Sequence, residues 1–188
     1  MDTKTKILKA ARLEFAKNGF HATLVSDIAE RAGVGKGTIY RYFSSKEDLF
    51  GSIIRQKMED FEIKIKEIIS RYDNERDILF KIGKLHFEEY KKSKDVISIL
   101  VIEDLYKIES INKQVKNKII AIQELVSNVI SRGIKNGVFR KVDPEKTSVI
   151  FLSLIWTILK HGILMEEEEL EDKYFGAIFD LLFYGIVR

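Results

Sequence analysis

The sequence predicts an all-α fold of about nine helices, and three observations carry that expectation. Apolar residues recur at spacings of three and four along nearly the whole chain, and no stretch alternates as a strand does. The 188 residues contain 11 Gly and 1 Pro, too few turn formers for an all-β architecture. They contain no Cys, which excludes a disulfide framework, thiolate metal ligands and a Cys nucleophile. The length suffices for a hydrophobic core without such staples. The most apolar run, Val149–Leu159, is interrupted by Ser153 and Thr157 and falls short of the roughly 18–20 uninterrupted apolar residues of a membrane span. The N-terminal segment carries Asp2, Glu14 and several Lys and lacks the apolar stretch of a signal peptide. A cytoplasmic chain with no membrane partner, no cofactor and no metal is expected.

The first helix begins after Asp2 and Thr3, both good N-caps, and carries Ile7, Leu8, Ala11 and Phe15 on one face. Asn18-Gly19 ends it. A second, short helix follows Thr23 as its expected N-cap and stops at Gly33. A third runs from Lys36 to Phe43. Ser44 with Glu47, and Ser45 with Asp48, form overlapping capping-box patterns. They open a long helix that carries Leu49, Ile53, Phe61, Ile65 and Ile68 toward Tyr72. Further helices are expected over 75–93, 95–109, 112–136, 144–162 and 170–187. The breaks are Asp73-Asn74, Ser93-Lys94-Asp95, Ser110-Ile111-Asn112, Asn136-Gly137 and Val142-Asp143-Pro144. Asp143 suits an N-cap and Pro144 the first helical position. The acidic run Glu166–Glu169 reads as a solvated loop or helix start.

Charge divides the chain at residue 50. Residues 1–50 hold nine Lys/Arg and six Asp/Glu, and residues 51–188 hold 23 of each, so the whole excess of +3 lies in the first quarter. Chance can produce three charges, but a localised basic region is also the electrostatic footprint of phosphate binding.

Residues 23–43 read TLVSDIAERAGVGKGTIYRYF. Leu24, Val25, Ile28 and Ala29 give the second helix an apolar face, and small Ala29 permits a close crossing. Gly33 supplies the left-handed turn, Val34 plugs it, and Ile39 packs back. Small residue, turn Gly and buried aliphatic at these offsets mark a helix-turn-helix. Its second helix normally enters the major groove. Ile39 and Phe43 face the core there, leaving Lys36, Gly37, Thr38, Tyr40, Arg41 and Tyr42 at outward angles. Outward tyrosines suit phosphate acceptors, and Gly37 removes bulk where a backbone would approach DNA. The competing reading is a small helical pair whose tyrosines only cover core.

The stretch Ile7–Phe50 resembles the DNA-binding domain of the TetR family of transcriptional regulators. The resemblance rests on Ala11-Arg12-Leu13-Glu14-Phe15-Ala16, Asn18-Gly19-Phe20, Ile28–Val34, Lys36–Tyr40 and Tyr42–Leu49. It implies a domain over 1–50 that reads double-stranded operator DNA. It also implies that Thr23, Tyr40, Tyr42 and Lys46 touch phosphate. Lys36, Gly37, Thr38 and Arg41 would lie in or beside the major groove. Gly35 departs from the family, which most often has Ser there, and removes a hydroxyl that could cap the helix or touch DNA. Gly137–Glu145 is similar to the family's connection into its penultimate helix. The resemblance implies that 51–188 binds a small-molecule effector and forms a homodimer.

Physical patterning supports a dimer independently. In Val149–Leu159, apolar residues cover nearly the whole helix circumference, Phe151, Leu152, Leu154, Ile155, Trp156 and Ile158 among them. In the last helix Phe175, Ile178, Phe179, Leu182, Phe183 and Ile186 form one stripe, extended by Ala177, Leu181 and Tyr184. A monomer's surface helix needs one apolar stripe. Two faces suggest one for the core and one for an identical subunit, with a central buried helix as the alternative. The expected interface is Phe151, Leu152, Ile155, Ile158, Phe175, Phe179, Leu182, Phe183 and Ile186. Candidate effector-pocket residues are Phe61, Phe80, Phe87, Tyr90, Tyr106, Phe151 and Trp156, with His86, Glu103 and Asp104 as polar anchors. Each aromatic has an alternative as plain core, and His86 and His161 as structural histidines. Aromatic richness points to an apolar or aromatic effector.

The expected function is a homodimeric, ligand-responsive regulator, most simply a repressor on a near-palindromic operator. An activator would look the same in sequence. An enzyme is not expected, because no H-E-x-x-H, G-x-S-x-G or phosphate-binding Gly loop occurs and three His stand far apart. A helical adaptor that no longer binds DNA is the other alternative.

Overall fold

The computed structural model describes residues 2–167 and 169–186, and for Asp172, Gly185 and Ile186 the backbone alone. Glu168 of the acidic run and the side chain of Ile186, expected at the interface, lie outside what is described. Eight α-helices follow in order: α1 Thr3–Ala22, α2 Val25–Ala32, α3 Lys36–Tyr42, α4 Lys46–Arg71, α5 Glu75–Ile102, α6 Glu109–Lys135, α7 Pro144–Leu164 and α8 Leu170–Ile186. One 3-10 turn, Leu105–Lys107, precedes α6. No strand occurs among the described residues.

The helix starts follow from capping chemistry. Asp2 Oδ1 accepts from Thr5 N–H at 2.8 Å, and Asp143 Oδ1 from Lys146 N–H at 3.1 Å. These backbone bonds to the charged form hold both carboxyls below their ordinary range. Pro144 takes the first helical position, where its missing N–H costs nothing. At α4, Ser45 Oγ accepts from Asp48 N–H at 3.0 Å, while Asp48 Oδ2 reaches back to Ser44 N–H at 2.8 Å. The expected stop at Gly19 is real, since its φ of 76° and ψ of 173° break the helical path within α1.

Three expectations need correction. Thr23 does not cap α2, whose N-cap is Leu24 without a side-chain bond. The Thr23 hydroxyl instead closes the end of α1, donating to Gly19 O at 2.6 Å and Glu14 O at 3.1 Å. The break at Ser93–Asp95 is absent, and the two expected helices are one, α5. Neither Gly nor Pro stands there to stop it. Ser93 and Val96 are buried, and Asp95 is held in a two-point pair with Arg12 at 3.2 Å. α5 runs to Ile102, Asp104 then takes the left-handed region with φ 52°, and α6 begins three residues earlier than expected. That merger reduces nine expected helices to eight.

Two compact units result: Met1–Glu59 with Ser93–Lys118, and Asp60–Lys92 with Ile119–Arg188. The expected 1–50 segment falls within the first, and α4, α5 and α6 each contribute to both. The core of the first unit is built on Phe15, Phe20 and Phe50, all 2% exposed or less, with ring centroids 5.2–5.6 Å apart. Full burial of each such ring contributes about 1.5–3 kcal/mol. Val96, Ile99, Leu100, Leu105 and Ile111 complete this core. Residues 93–118 are therefore as much part of its packing as α1–α3.

In the second unit, Phe151, Ile155, Leu159 and Ile163 make a buried stripe along α7. By length and composition α7 could cross a membrane. Its four-residue stripe faces the core of the second unit, and its opposite side is largely apolar as well. Ile178, Phe179, Leu182 and Phe183 form the buried face of α8. Both helices also carry exposed apolar side chains: Val149, Ile150, Trp156 and Leu164 on α7, and Leu181 and Tyr184 on α8.

Candidate nucleic-acid interface

The turn between α2 and α3 sets how the two short helices meet. Gly33 takes φ 67° and ψ 35°, the left-handed C-cap that a side chain would strain, and Val34 N–H closes onto Ala29 O at 3.0 Å. Gly35 is the N-cap of α3 and has no side-chain cap, so only its carbonyl is used, accepting from Thr38 N–H at 2.8 Å.

Ile39 on α3 and Phe43 at its C-cap are buried at 1% and 2% exposure. Lys36, Gly37, Tyr40, Arg41 and Tyr42 are exposed, and Thr38 is half-buried. Tyr40 and Tyr42 leave 46% and 42% of their surface in solvent. A Cβ on Gly37 would meet nothing within 4 Å. Lys36 and Arg41 have no ion-pair partner among the described residues. By contrast Arg31 is tied to Glu14, and Arg12 to Asp95. The free cations of the head thus include the two on α3, as phosphate binding requires.

Thr23 and Lys46 stand differently from the α3 group. Thr23 is 1% exposed with its hydroxyl engaged as described. Lys46 Nζ donates to the carbonyls of Phe20, His21 and Thr23 at 2.8, 3.1 and 3.0 Å.

Candidate effector residues divide between the units. Glu103, Asp104 and Tyr106 belong to the first, where Glu103 accepts from Phe20 N–H at 2.8 Å and His21 N–H at 3.0 Å. Asp104 pairs with Lys107 at 2.6 Å, and Tyr106 is partly exposed. The second unit gathers Phe80, Phe87 and Phe151 around Phe175 and Phe179, with ring centroids 4.6–6.0 Å apart. Phe61 meets the half-buried His86 edge-on at 4.5 Å. His86 Nδ1 lies 2.8 Å from Ile82 O, so that nitrogen carries the proton and donates. Burial pushes its pKa down to about 4, with the Ile82 bond acting in the other direction. Tyr90 is 5% exposed and its hydroxyl has no hydrogen-bond partner among the described residues. Burial raises its pKa. Trp156 is 42% exposed on α7. A surface cleft of about 550 Å³, lined by charged residues such as Lys64, Arg71, Lys84 and Glu88, includes none of these candidates.

Of the expected interface residues, Phe151, Ile155, Phe179, Leu182 and Phe183 are already buried within their own chain. Leu152, Ile158 and Phe175 are half-buried. Sequence reasoning could not show the ties that residues 93–118 make to the head. Besides Asp95 and Glu103, Gln114 donates to Asp48 Oδ1 at 3.0 Å. These partners lie more than 60 residues apart, and no local pattern marks them.

Comparison with known proteins decides the family. Residues 7–53 match the family model described as bacterial regulatory proteins, tetR family. The chain is 31% identical over 165 residues to the uncharacterized HTH-type transcriptional regulator YhgD of Bacillus subtilis (strain 168), covering 82% of this chain and 81% of that one. This chain belongs to the TetR family. It is a transcriptional regulator and not an enzyme. It is also 29% identical over 136 residues to the fatty acid metabolism regulator protein of Bacillus subtilis (strain 168), covering 70% and 68% of the two chains. Its fold is shared with the transcriptional regulator FadR from Bacillus subtilis, solved in complex with stearoyl-CoA. The TM-score is 0.84 at 23% identity, with 95% and 96% of the chains covered.

Proposed function

We propose that this TetR-family regulator is a cytoplasmic homodimeric repressor, released from a near-palindromic operator by a long-chain fatty acyl-CoA. The observation that carries the DNA half is the α3 surface. Lys36, Gly37, Tyr40, Arg41 and Tyr42 are exposed over a buried Ile39 and Phe43. In the dimer, two such helices would enter successive major grooves, Tyr40 and Tyr42 donating to phosphate oxygens. The exposed apolar side chains of α7 and α8, including Ile150, Trp156 and Leu181, would form the two-fold interface. Residues buried in their own chain, such as Phe151, would support that face from below.

The effector reading rests on the likeness to a fatty acid metabolism regulator and to a stearoyl-CoA complex, and on the aromatic interior of the second unit. A buried hydroxyl without a partner costs about 1–3 kcal/mol. A thioester carbonyl would satisfy Tyr90. An acyl-CoA that binds the DNA-free dimer 100-fold better than the DNA-bound one supplies about 2.7 kcal/mol, enough to lower operator occupancy from about 90% to about 10%.

The test is fluorescence anisotropy of labelled operator with stearoyl-CoA as titrant. Release at micromolar concentration, with free CoA inactive, is expected. Unchanged operator affinity at saturating stearoyl-CoA refutes the effector assignment and leaves DNA binding standing.

A further inference from the structure

We propose that Lys46 and Glu103 are positioning residues for DNA binding. They grip one short peptide segment from opposite sides, and Lys46 acts through this grip and not through a phosphate. This rests on the reading that α3 binds operator DNA.

The segment is Phe20–His21, just after the backbone break at Gly19. Its two N–H groups point to one carboxylate, Glu103, at 2.8 and 3.0 Å. The carbonyls of the same two residues, and of Thr23, point to one ammonium, Lys46 Nζ, at 2.8, 3.1 and 3.0 Å. An ammonium has three N–H donors, and these three carbonyls use all of them. Nζ also lies 4.6 Å from the ring centroid of Phe20, which is 2% exposed. A phosphate oxygen could be reached only by giving up a carbonyl in this cage.

The two charges come from different elements. Lys46 is the first residue of α4, and Glu103 follows the end of α5. Both belong to the first unit, so the segment is the point where the starts and ends of three helices are joined. Charge-assisted bonds to backbone are short and directional, and here they fix the entry of the chain into α2 and so the pose of α2 and α3. A positive charge at a helix start opposes the helix dipole. The carbonyl cage explains why Lys46 stands there without DNA.

The two possible roles predict different salt behaviour and, for Glu103, opposite signs. The probe is an operator selected from random DNA by the parent protein. Binding is measured from 50 to 300 mM KCl on variants shown native by circular dichroism and sedimentation. Lys46→Met keeps the apolar stem over Phe20 and removes the ammonium. Glu103→Gln removes a negative charge, which alone would strengthen attraction to DNA. Positioning predicts that both variants bind at least about tenfold more weakly. It also predicts that the slope of log affinity against log salt stays within about 0.3 of the parent. A fall in slope of about 0.9 per subunit in Lys46→Met makes Lys46 a phosphate contact and overturns the proposal. Tighter binding by Glu103→Gln overturns it, as does unchanged affinity of native variants with only a lowered Tm. Should Lys46→Met not fold, the sign for Glu103→Gln decides alone. Failure of the parent protein to select any operator would refute DNA reading by α3 itself, a distinguishable outcome.

Discussion

Replacing Gly37 by Ala should stabilise the free protein and weaken its grip on DNA. Gly37 is the second residue of α3, is exposed, and a Cβ built on it meets nothing within 4 Å. Its backbone is helical, so Ala fits without strain and lowers the entropy of the unfolded chain. The gain is about 0.5–1 kcal/mol. For a chain of this size that is a rise in Tm of roughly 1–4 °C. The same methyl group would project where the helix backbone approaches the base edges. A loss of only about 0.7 kcal/mol per half-site doubles across a two-fold dimer to about 1.4 kcal/mol, or tenfold in Kd. Differential scanning calorimetry at fixed protein concentration reads the first effect, and operator anisotropy at fixed salt reads the second. A raised Tm with unchanged operator affinity would show that Gly37 does not face DNA. A lowered Tm would refute the helical environment assigned to it.

Three further outcomes follow from the same geometry. Gly35→Ser should raise stability by a few tenths of a kcal/mol, because φ is −72° and a Cβ comes no closer than 3.9 Å to Thr38 Oγ1, leaving room for a capping hydroxyl. Chemical denaturation measures it, and a loss of stability contradicts it. His86 titrates near 6.5 when unfolded and about 4 when folded, so the unfolded chain binds the extra proton between those values and stability falls as pH drops through that window. The loss is bounded at about 3 kcal/mol, less whatever solvent reaches the half-buried ring. His86→Leu should flatten the Tm profile from pH 7 to 4.5, and an unaltered profile refutes the assignment. Glu75 is 2% exposed and accepts from Arg132 Nε and Asn136 Nδ2, each at 2.8 Å. Glu75→Ala should cost about 2 kcal/mol, below the usual 3–5 for a fully buried pair, because Arg132 keeps access to water. A cost under about 0.5 kcal/mol in urea melts contradicts that.

Local chemistry was readable where it acts over a few residues. Asp143-Pro144, Ser45 with Asp48, and Gly33 each announced a boundary that the structure keeps, because caps and left-handed turns are set within four residues. The division of α3 into buried Ile39 and Phe43 beneath exposed tyrosines was likewise visible from helical spacing. Long-range partners were not. Ser93–Asp95 looks like a break in sequence and is helix in the fold, since Asp95 finds Arg12 and Val96 finds the core. Lys46 reads as a phosphate contact by resemblance, and no local pattern marks the carbonyls at the end of α1 that come round to it. Glu103 reads in sequence as an effector anchor, and no local pattern marks the amides of Phe20 and His21 that donate to its two oxygens. The aromatic side chains of the second unit could be assigned to its interior in sequence, but their grouping around Phe179 depends on how α5, α7 and α8 meet.

DNA reading by α3 requires two copies of it acting together. Selection of bound sequences from a random duplex pool by the purified protein tests it most directly. Enrichment of a near-palindrome whose half-sites lie about one helical turn or more apart is expected. A pool that stays random at moderate salt, or enriches a single unsymmetric site, would contradict it.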